Sequence, residues 1–348
     1  MPDFNNTKIK SCIVHHVGNK NNGEELFLSK TALDTNEQRL HELLLKYFLS
    51  PFASPEYYSF TFSNEDISLN PVYIFAFEIF EHPQSFPKKS KEIAKHLYEN
   101  SLHPQIKAGD LFVVRFREVQ FENESIEALG IFKSESRQEF LKLNKEQDDF
   151  VLNYDDGINI DRLDKGCLIF NVNADAGFKV AIIDKSNKSS EAQFWRETFL
   201  NLKPCRDEYH YTKDFLNIAK DYVTKQLHED FEVNKTDQID LLNKSVEYFK
   251  THDNFDKNEF EKEVFQDKGV IKSFREFDQS YREVNEIEIE DKFEISPQAV
   301  KKQNRIFKSV LKLDKNFHVY IHGDRELIEQ GVDKDGRKFY KIYYEEER

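Results

Sequence analysis

The segment Ile158–Cys205 constrains the fold of this chain more than any other. It contains two apolar stretches, Cys167–Asn173 and Phe178–Ile183, joined by the short loop Ala174–Gly177. Short apolar runs bounded by turn residues are typical of buried strands. A polar turn then leads into a helix that carries the only tryptophan, Trp195. The segment therefore predicts two buried strands followed by a helix that packs on the core.

The length of 348 residues predicts about two domains. Alternating patterns at 111–120, 127–133, 139–143 and 149–154 predict an antiparallel meander that continues into Ile158–Cys205. The apolar stretch Val72–Phe80 fits either a strand or a helix. We therefore predict an α+β fold whose first domain, residues 1–189, has a largely antiparallel sheet with flanking helices.

Beyond residue 189 the apolar residues recur at helical spacing. Helices are predicted at about 209–228, 237–251, 258–267 and 270–284. Ser296 and Pro297 form a strong helix start, and this helix is expected to run to about Leu313. Two strands, Phe317–His322 and Lys338–Glu345, are expected to end the chain as a β-hairpin. Residues 190–348 are thus predicted to be a mainly helical domain that ends in a helix and two strands.

The formal net charge is −14, and residues 206–300 carry 24 acidic and 14 basic side chains. This acidity excludes a generic cationic coat for nucleic acid and simple adsorption to an anionic membrane. It does not exclude nucleic-acid binding, because phosphate contact depends on local clusters of lysine and arginine.

Three cysteines, Cys12, Cys167 and Cys205, lie far apart, and none belongs to a C-x-x-C motif. They predict reduced thiols rather than a disulfide scaffold or a cysteine zinc site. We expect no signal peptide, because the N-terminal stretch MPDFNNTKIK has no apolar core. We expect no membrane span, because no apolar run approaches about 18 residues. The sequence also lacks the phosphate-loop, dinucleotide, nucleophile-elbow and zinc-protease motifs, so no catalytic residue, metal or cofactor is expected.

A basic stripe follows Ser296. Residues 301–320 hold six basic side chains and one acidic side chain. In a helix, residues spaced by four, seven and eleven positions share one face, so most of these cations would line up. The candidate nucleic-acid-binding residues are Lys301, Lys302, Arg305, Lys308 and Lys312. The alternative is an ordinary amphipathic helix with a solvated lysine face.

A second, weaker basic patch is predicted on the helix that begins at Pro87. Glu92 and Glu99 interrupt it. Its members are Lys88, Lys89, Lys91 and Lys95. The alternative is ordinary surface charge.

Other polar groups favour structural roles. Asp161, Asp164 and Asp184 flank the two central strands and fit an ion-pair cluster at a sheet edge, although they could also mark an active site. His318 and His322 share a strand face, but two histidines without a third ligand do not predict a metal site.

The segment Ile158–Cys205 resembles the bacterial nucleoid-associated protein family of the NdpA/YejK type. The resemblance rests on an acidic strand entry at Asp161, a second strand ending at Asp184, Trp195, and the Phe199–Leu200 pair. The N-terminal motif HHVG and the C-terminal stretch SPQAVKKQNRIFKSVLKLDKNFHVYIHGDRE match the longer form seen in Bacteroidetes-type relatives. The resemblance implies association with the nucleoid in the cytoplasm and binding of double-stranded DNA or RNA. It implies no catalytic residues.

Three hypotheses follow from these observations. The first is a non-enzymatic protein that binds DNA mainly through electrostatic, weakly sequence-specific contacts. The second is an acidic interaction module that a protein partner recruits to the nucleoid. The third is an unrecognised nucleic-acid enzyme, whose mark would be a pocket gathering carboxylates such as Asp161, Asp164 and Asp184.

Overall fold

The computed structural model describes residues 2–63, 66–147, 149–185, 194–304, 307, 310–321 and 327–346. The chain forms two compact units, Met1–Cys205 and Arg206–Arg348. The boundary between the two units thus follows Cys205, whereas the sequence predicted a domain boundary after residue 189. The π-helical segment Phe194–Leu200, with Trp195, belongs to the first unit because its side chains complete that unit's core.

The first unit is built around an antiparallel sheet. Its strands are β1 (Lys8–Val17), β2 (Leu26–Leu28), β3 (Tyr57–Phe60), β4 (Gly109–Phe121), β5 (Glu124–Ser134), β6 (Gln138–Glu146), β7 (Asp149–Gly157), β8 (Lys165–Phe170), β9 (Lys179–Asp184) and β10 (Leu202–Pro204). Eight of them form one sheet in the order β10-β3-β9-β8-β5-β4-β1-β2. The strand pair predicted from the sequence is confirmed as β8 and β9, in which Ile169 lies opposite Val180.

Both faces of this sheet are buried. Successive side chains of a strand point to opposite faces. In β4, Leu111 and Val113 enter one core cluster, which also contains Trp195. Phe112 and Val114 enter a second cluster. This double burial explains why the central strands read as almost continuous apolar runs.

Three helices cover the sheet: α1 (Gln38–Leu49), α2 (Pro71–Glu81) and α3 (Phe86–Asn100). The apolar stretch that fitted a strand or a helix is α2. Pro71 stands at its first position, and the Asn70 side chain accepts a hydrogen bond from the backbone N–H of Tyr73 at 3.0 Å. These two start signals decide the conformation that apolar periodicity left open.

The predicted meander is wrong at β6 and β7. These strands pair with each other as a separate two-stranded sheet, and β5 pairs directly with β8. The side chains of β6 and β7 are almost entirely exposed. The strands β6 and β7 are excluded from the main sheet because β5 is buried on both faces and needs an apolar neighbour. The continuously apolar β8 meets this need, and the half-polar β6 does not.

The second unit is mainly helical. Its helices are α4 (Glu208–Asp221), α5 (Leu227–Asp230), α6 (Lys235–Thr251), α7 (Lys257–Phe260), α8 (Lys268–Asn285) and α9 (Pro297–Gln303). π-Helical segments Tyr222–Gln226 and Glu261–Phe265 extend α4 and α7. Phenylalanines dominate the core, where Phe215 packs against Phe255 with ring centroids 4.3 Å apart. The four helices predicted between 209 and 284 are therefore confirmed.

The C-terminal region differs from expectation. The helix that begins after Ser296 ends at Gln303. It is followed by β13 (Val310–Leu313), β14 (Phe317–Tyr320), β15 (Ile328–Val332) and β16 (Lys338–Ile342), whereas β11 (Asn254–Asp256) and β12 (Lys292–Glu294) pair earlier in the unit. β13 pairs with β14 and β15 pairs with β16, so the two predicted terminal strands belong to two different hairpins.

Among the described residues, no helix is both long enough and apolar enough to span a membrane.

Candidate nucleic-acid interface

The start of α9 is fixed by its cap. The Ser296 side chain accepts from the backbone N–H of Ala299, and the Ser296 backbone N–H donates to Oγ1 of Thr212 at 3.0 Å. The helix packs against α4 and α6 and buries Ala299 and Val300. Burial of this apolar side leaves Lys301 and Lys302 exposed to solvent.

Lys301 lies on a cleft of about 320 Å³ in the second unit. The cleft is also lined by Lys250, His252, Asp253 and Asn304, over apolar walls from Phe249, Ile295, Pro297 and Val300. Lys250 comes from the last turn of α6, where its Nζ lies 3.8 Å from Glu247. Two lysines from different helices therefore face one cleft. Sequence patterns did not identify Lys250, because no other lysine or arginine lies near it in the chain between Lys244 and Lys257.

Lys302 is positioned by an aromatic ring. Its Nζ lies 5.3 Å from the ring centroid of Tyr209. A cation held over an aromatic face at this distance is attracted by the negative potential of the ring. The contact orders the lysine side chain, and the residue is exposed to solvent.

Lys312 does not continue the α9 helix. It lies on β13, where the buried Leu311 packs with Ile239, Ile321 and Ile328. The neighbouring Lys312 points to the opposite side and is exposed. The single helical stripe is therefore wrong for Lys312, because apolar alternation in Val310–Leu313 and pairing with β14 favour a strand. Arg305 and Lys308 lie outside the described residues.

The three described members of the predicted stripe remain exposed cations. We refer to Lys301, Lys302 and Lys312 as the C-terminal lysine group. α9 and β13 both pack against α6, so one helix supports the backbone segments that carry them. Within the described part of the chain, Lys301 and Lys312 form no ion pair, which leaves their charge available to a ligand.

The second predicted patch lies on α3, but the structure divides its members. Lys88 and Lys95 are exposed, Lys91 is half-buried, and Lys89 is buried. The Lys89 Nζ lies 2.9 Å from Glu78 and 2.8 Å from Glu92. Burial lowers the pKa of Lys89, but the two carboxylates outweigh it and raise the pKa overall. Lys89 therefore serves an internal ion pair and does not belong to an exposed patch.

The model of one protein family matches almost the whole chain. It is described as nucleoid-associated protein YejK and matches residues 13–347. The chain belongs to this family. The match begins within β1 and extends beyond β16, so both units are part of the family's fold. No curated protein matches the chain.

Of the three aspartates considered as an active site of this nucleoid-associated family member, Asp161 and Asp164 contact different groups. Asp161 pairs with Lys46 at 2.6 Å. Asp164 accepts hydrogen bonds from the backbone N–H groups of Glu135 and Ser136 at 2.8 and 2.9 Å. These contacts fix loops at the sheet edge. Among the described residues, these aspartates do not form a group able to hold a metal ion.

A different group of side chains has the donor chemistry of a cation site. Nitrogen and oxygen atoms of His252, Glu259 and Glu263 lie within 4.8 Å of one another. The Nδ1 of His252 lies 3.0 Å from the Tyr248 carbonyl oxygen, and the Tyr248 hydroxyl donates to Glu259 at 3.3 Å. Both glutamates are exposed. The Tyr248 hydroxyl accounts for the placement of Glu259, and Nε2 of His252 lies 3.8 Å from Glu263.

The first unit contains a buried group of three charged side chains, which was not predicted from the sequence. Nζ of Lys133 lies 3.1 Å and Nζ of Lys165 lies 2.8 Å from the two carboxylate oxygens of Glu135. All three side chains are buried. Burial is the main reason that the pKa of Lys133 is lowered. In the chain these residues look like ordinary strand-end charges, and only strand pairing brings them together.

Proposed function

We propose that this protein associates with the bacterial nucleoid by binding double-stranded DNA without catalysing a reaction. Binding uses electrostatic contacts between phosphates and the C-terminal lysine group, with Lys250 on the same cleft as Lys301. The family match over residues 13–347 is the observation that carries this proposal. The exposed lysines add a local reason to place the contact in the second unit.

The overall acidity is compatible with such local binding. Charges on exposed groups are screened over about 10 Å at 0.1 M ionic strength. Lysines in contact with phosphates act within this distance, and acidic side chains that lie farther away from the phosphates are largely screened. Contacts of this kind carry little sequence information, so we expect weak sequence preference.

A salt titration of duplex DNA binding tests the proposal. The variant Lys301→Glu/Lys302→Glu/Lys312→Glu removes up to three phosphate contacts. The slope of log K against log[salt] should then fall by roughly 2–3, since each contact contributes about 0.9. The affinity itself should fall at all salt concentrations.

A matched control separates location from total charge. Lys262, Lys268 and Lys272 are exposed elsewhere in the same unit, and their change to Glu alters the net charge equally. The control should bind DNA like the wild type. Equal loss in both variants would reject the lysine group as the site, and no DNA binding by the wild type at low salt would reject the function.

A second candidate function is recruitment by a basic protein partner. The observation that favours it is the excess of acidic residues over 206–300. Association with the nucleoid would then persist after nuclease digestion of DNA. Loss of association on nuclease treatment supports direct DNA binding instead.

A further inference from the structure

The ribbon formed by β6 and β7 has one strongly apolar face. In an antiparallel pair, residues directly opposite each other lie on the same face. Leu141 lies opposite Tyr154, Leu143 opposite Leu152, and Lys145 opposite Phe150. The five apolar side chains on this face are Leu141, Leu143, Phe150, Leu152 and Tyr154, and each is 60–76% exposed. Isolated exposed apolar residues are ordinary, but a contiguous apolar face marks an interaction surface.

The opposite face of the ribbon is mostly polar. It carries the pairs Lys142–Asn153 and Asn144–Val151 and the ion pair between Lys142 and Asp155, at 3.0 Å. A ribbon with one polar and one apolar face normally packs the apolar face against a core. An isolated two-stranded ribbon is also marginally stable in water. The apolar face therefore has the composition of a surface that is covered in the working protein.

Charges at the two ends of the apolar face are of opposite sign. Glu139 and Asp156 lie opposite each other at one end, and Lys145 lies at the other. Six residues of strand separate Glu139 from Lys145, which is roughly 20 Å. They cannot pair within one ribbon at that distance. Two ribbons packed face to face and antiparallel would place Lys145 of each copy over Glu139 of the other.

We propose that the apolar face of this ribbon packs against the same face of a second copy of the chain. The two-fold axis lies in the plane of contact and runs perpendicular to the strands. Rotation about an axis parallel to the strands would instead bring the two Lys145 side chains to the same end of the interface, where their charges repel. The arrangement is isologous, so each copy supplies the same surface, as in most closed dimers.

The predicted dimer is weak. From strand rise and spacing, the ribbon face measures roughly 20 by 10 Å. This is well below the ~800 Å² per partner of a standard interface. Association should therefore depend on concentration. The contact uses no lysine of the C-terminal lysine group, so both copies of a dimer can still bind DNA. A DNA molecule that binds two copies raises their effective concentration and thereby favours the dimer.

Sedimentation equilibrium of the full chain over a dilution series tests the dimer. The variant Leu143→Asp/Leu152→Asp introduces two carboxylates at a central pair of the apolar face and should weaken dimerisation at least about 100-fold. The control Asn144→Asp/Val151→Asp places the same charges on the neighbouring pair of the polar face. It should dimerise like the wild type. Far-UV circular dichroism establishes that both variants are folded.

A charge exchange tests the orientation. Lys145→Glu should weaken the dimer about tenfold, because two attractive pairs become repulsive. Adding Glu139→Lys should restore it, since each pair again has opposite charges. A wild type that is monomeric throughout the series overturns the proposal, as does a dimer that Leu143→Asp/Leu152→Asp leaves intact. A dimer without rescue overturns the antiparallel arrangement. None of these outcomes depends on DNA binding.

Discussion

Trp195 donates its indole N–H to the carbonyl oxygen of Gly166 at 3.2 Å, which ties the π-helical segment to β8. The ring is fully buried and lies 4.9 Å from that of Phe199. The only tryptophan of the chain therefore reports on the core of the first unit alone.

We expect Trp195→Phe to lower the free energy of unfolding of the first unit by about 2–3 kcal/mol. The change leaves a cavity and removes a buried hydrogen-bond donor. Urea unfolding followed by circular dichroism measures the loss. Phe27→Leu, at a side chain that is 65% exposed on β2, is the control and should cost less than about 0.5 kcal/mol. Similar values for both variants would contradict the structural role of Trp195.

His15 should make stability depend on pH. Burial, aided by the charge of Lys91, lowers its pKa from 6.5 to about 4. Its Nδ1 accepts the backbone N–H of Ser29 at 3.1 Å, and its Nε2 lies 3.2 Å from Oγ of Ser90, which favours the neutral ring. Between pH 6.5 and 4 the unfolded chain binds the proton that the folded chain excludes. Stability should therefore fall as the pH falls, by at most about 3 kcal/mol.

The comparison with His15→Gln isolates this contribution. The variant lacks the titrating group, so its unfolding free energy should change less between pH 7 and pH 4. Denaturant unfolding at several pH values measures both proteins. Identical pH profiles would show that His15 titrates normally in the folded protein.

Glu135→Gln should destabilise the first unit by about 3–5 kcal/mol. The change leaves the buried ammonium groups of Lys133 and Lys165 without their shared carboxylate. Glu118→Gln is the control, because it breaks only an exposed ion pair with Lys8, and the loss of such a pair has little effect on stability. Thermal unfolding distinguishes the two. A small effect of Glu135→Gln would mean that water reaches the lysines.

Gly177→Ala should cost about 2–4 kcal/mol. The glycine has φ +92°, and an added Cβ would lie 2.6 Å from the carbonyl oxygen of Phe60. Gly23→Ala is a matched control, because φ is +72° but nothing lies within 4 Å of the added Cβ. It should cost only about 1–2 kcal/mol for the left-handed backbone. Equal losses at both positions would show that the contact with Phe60 relaxes freely.

The sequence was most informative where local signals agreed with the fold. The strands β8 and β9, the loop Ala174–Gly177 between them and helices such as α6 have turn residues and periodicity that match their structures. The conformation of Val72–Phe80 could not be predicted from apolar periodicity, which does not separate a buried strand from a buried helix. The signals that distinguish them are Asn70 and Pro71, which start the helix.

The candidate site was predictable in composition but not in geometry. Lysines spaced for one helix face extended beyond Gln303, where pairing with β14 places Lys312 on a strand. Lys89 looked like its neighbours on α3, yet Glu78 from α2 lies against it. Lys250 joined the cleft from another helix. Contacts between elements that are distant in the chain decided each of these positions.

Strand β10 has a practical consequence for work on isolated fragments. It is a three-residue strand that pairs with β3 and ends in Pro204, whose backbone nitrogen cannot donate a hydrogen bond. Short strands and prolines at a sheet margin discourage pairing between molecules. A recombinant fragment that stops at residue 189 would lack this edge strand and expose the backbone of β3. Such a fragment is expected to aggregate during purification. A fragment that extends to Cys205 retains β10, which covers the backbone of β3.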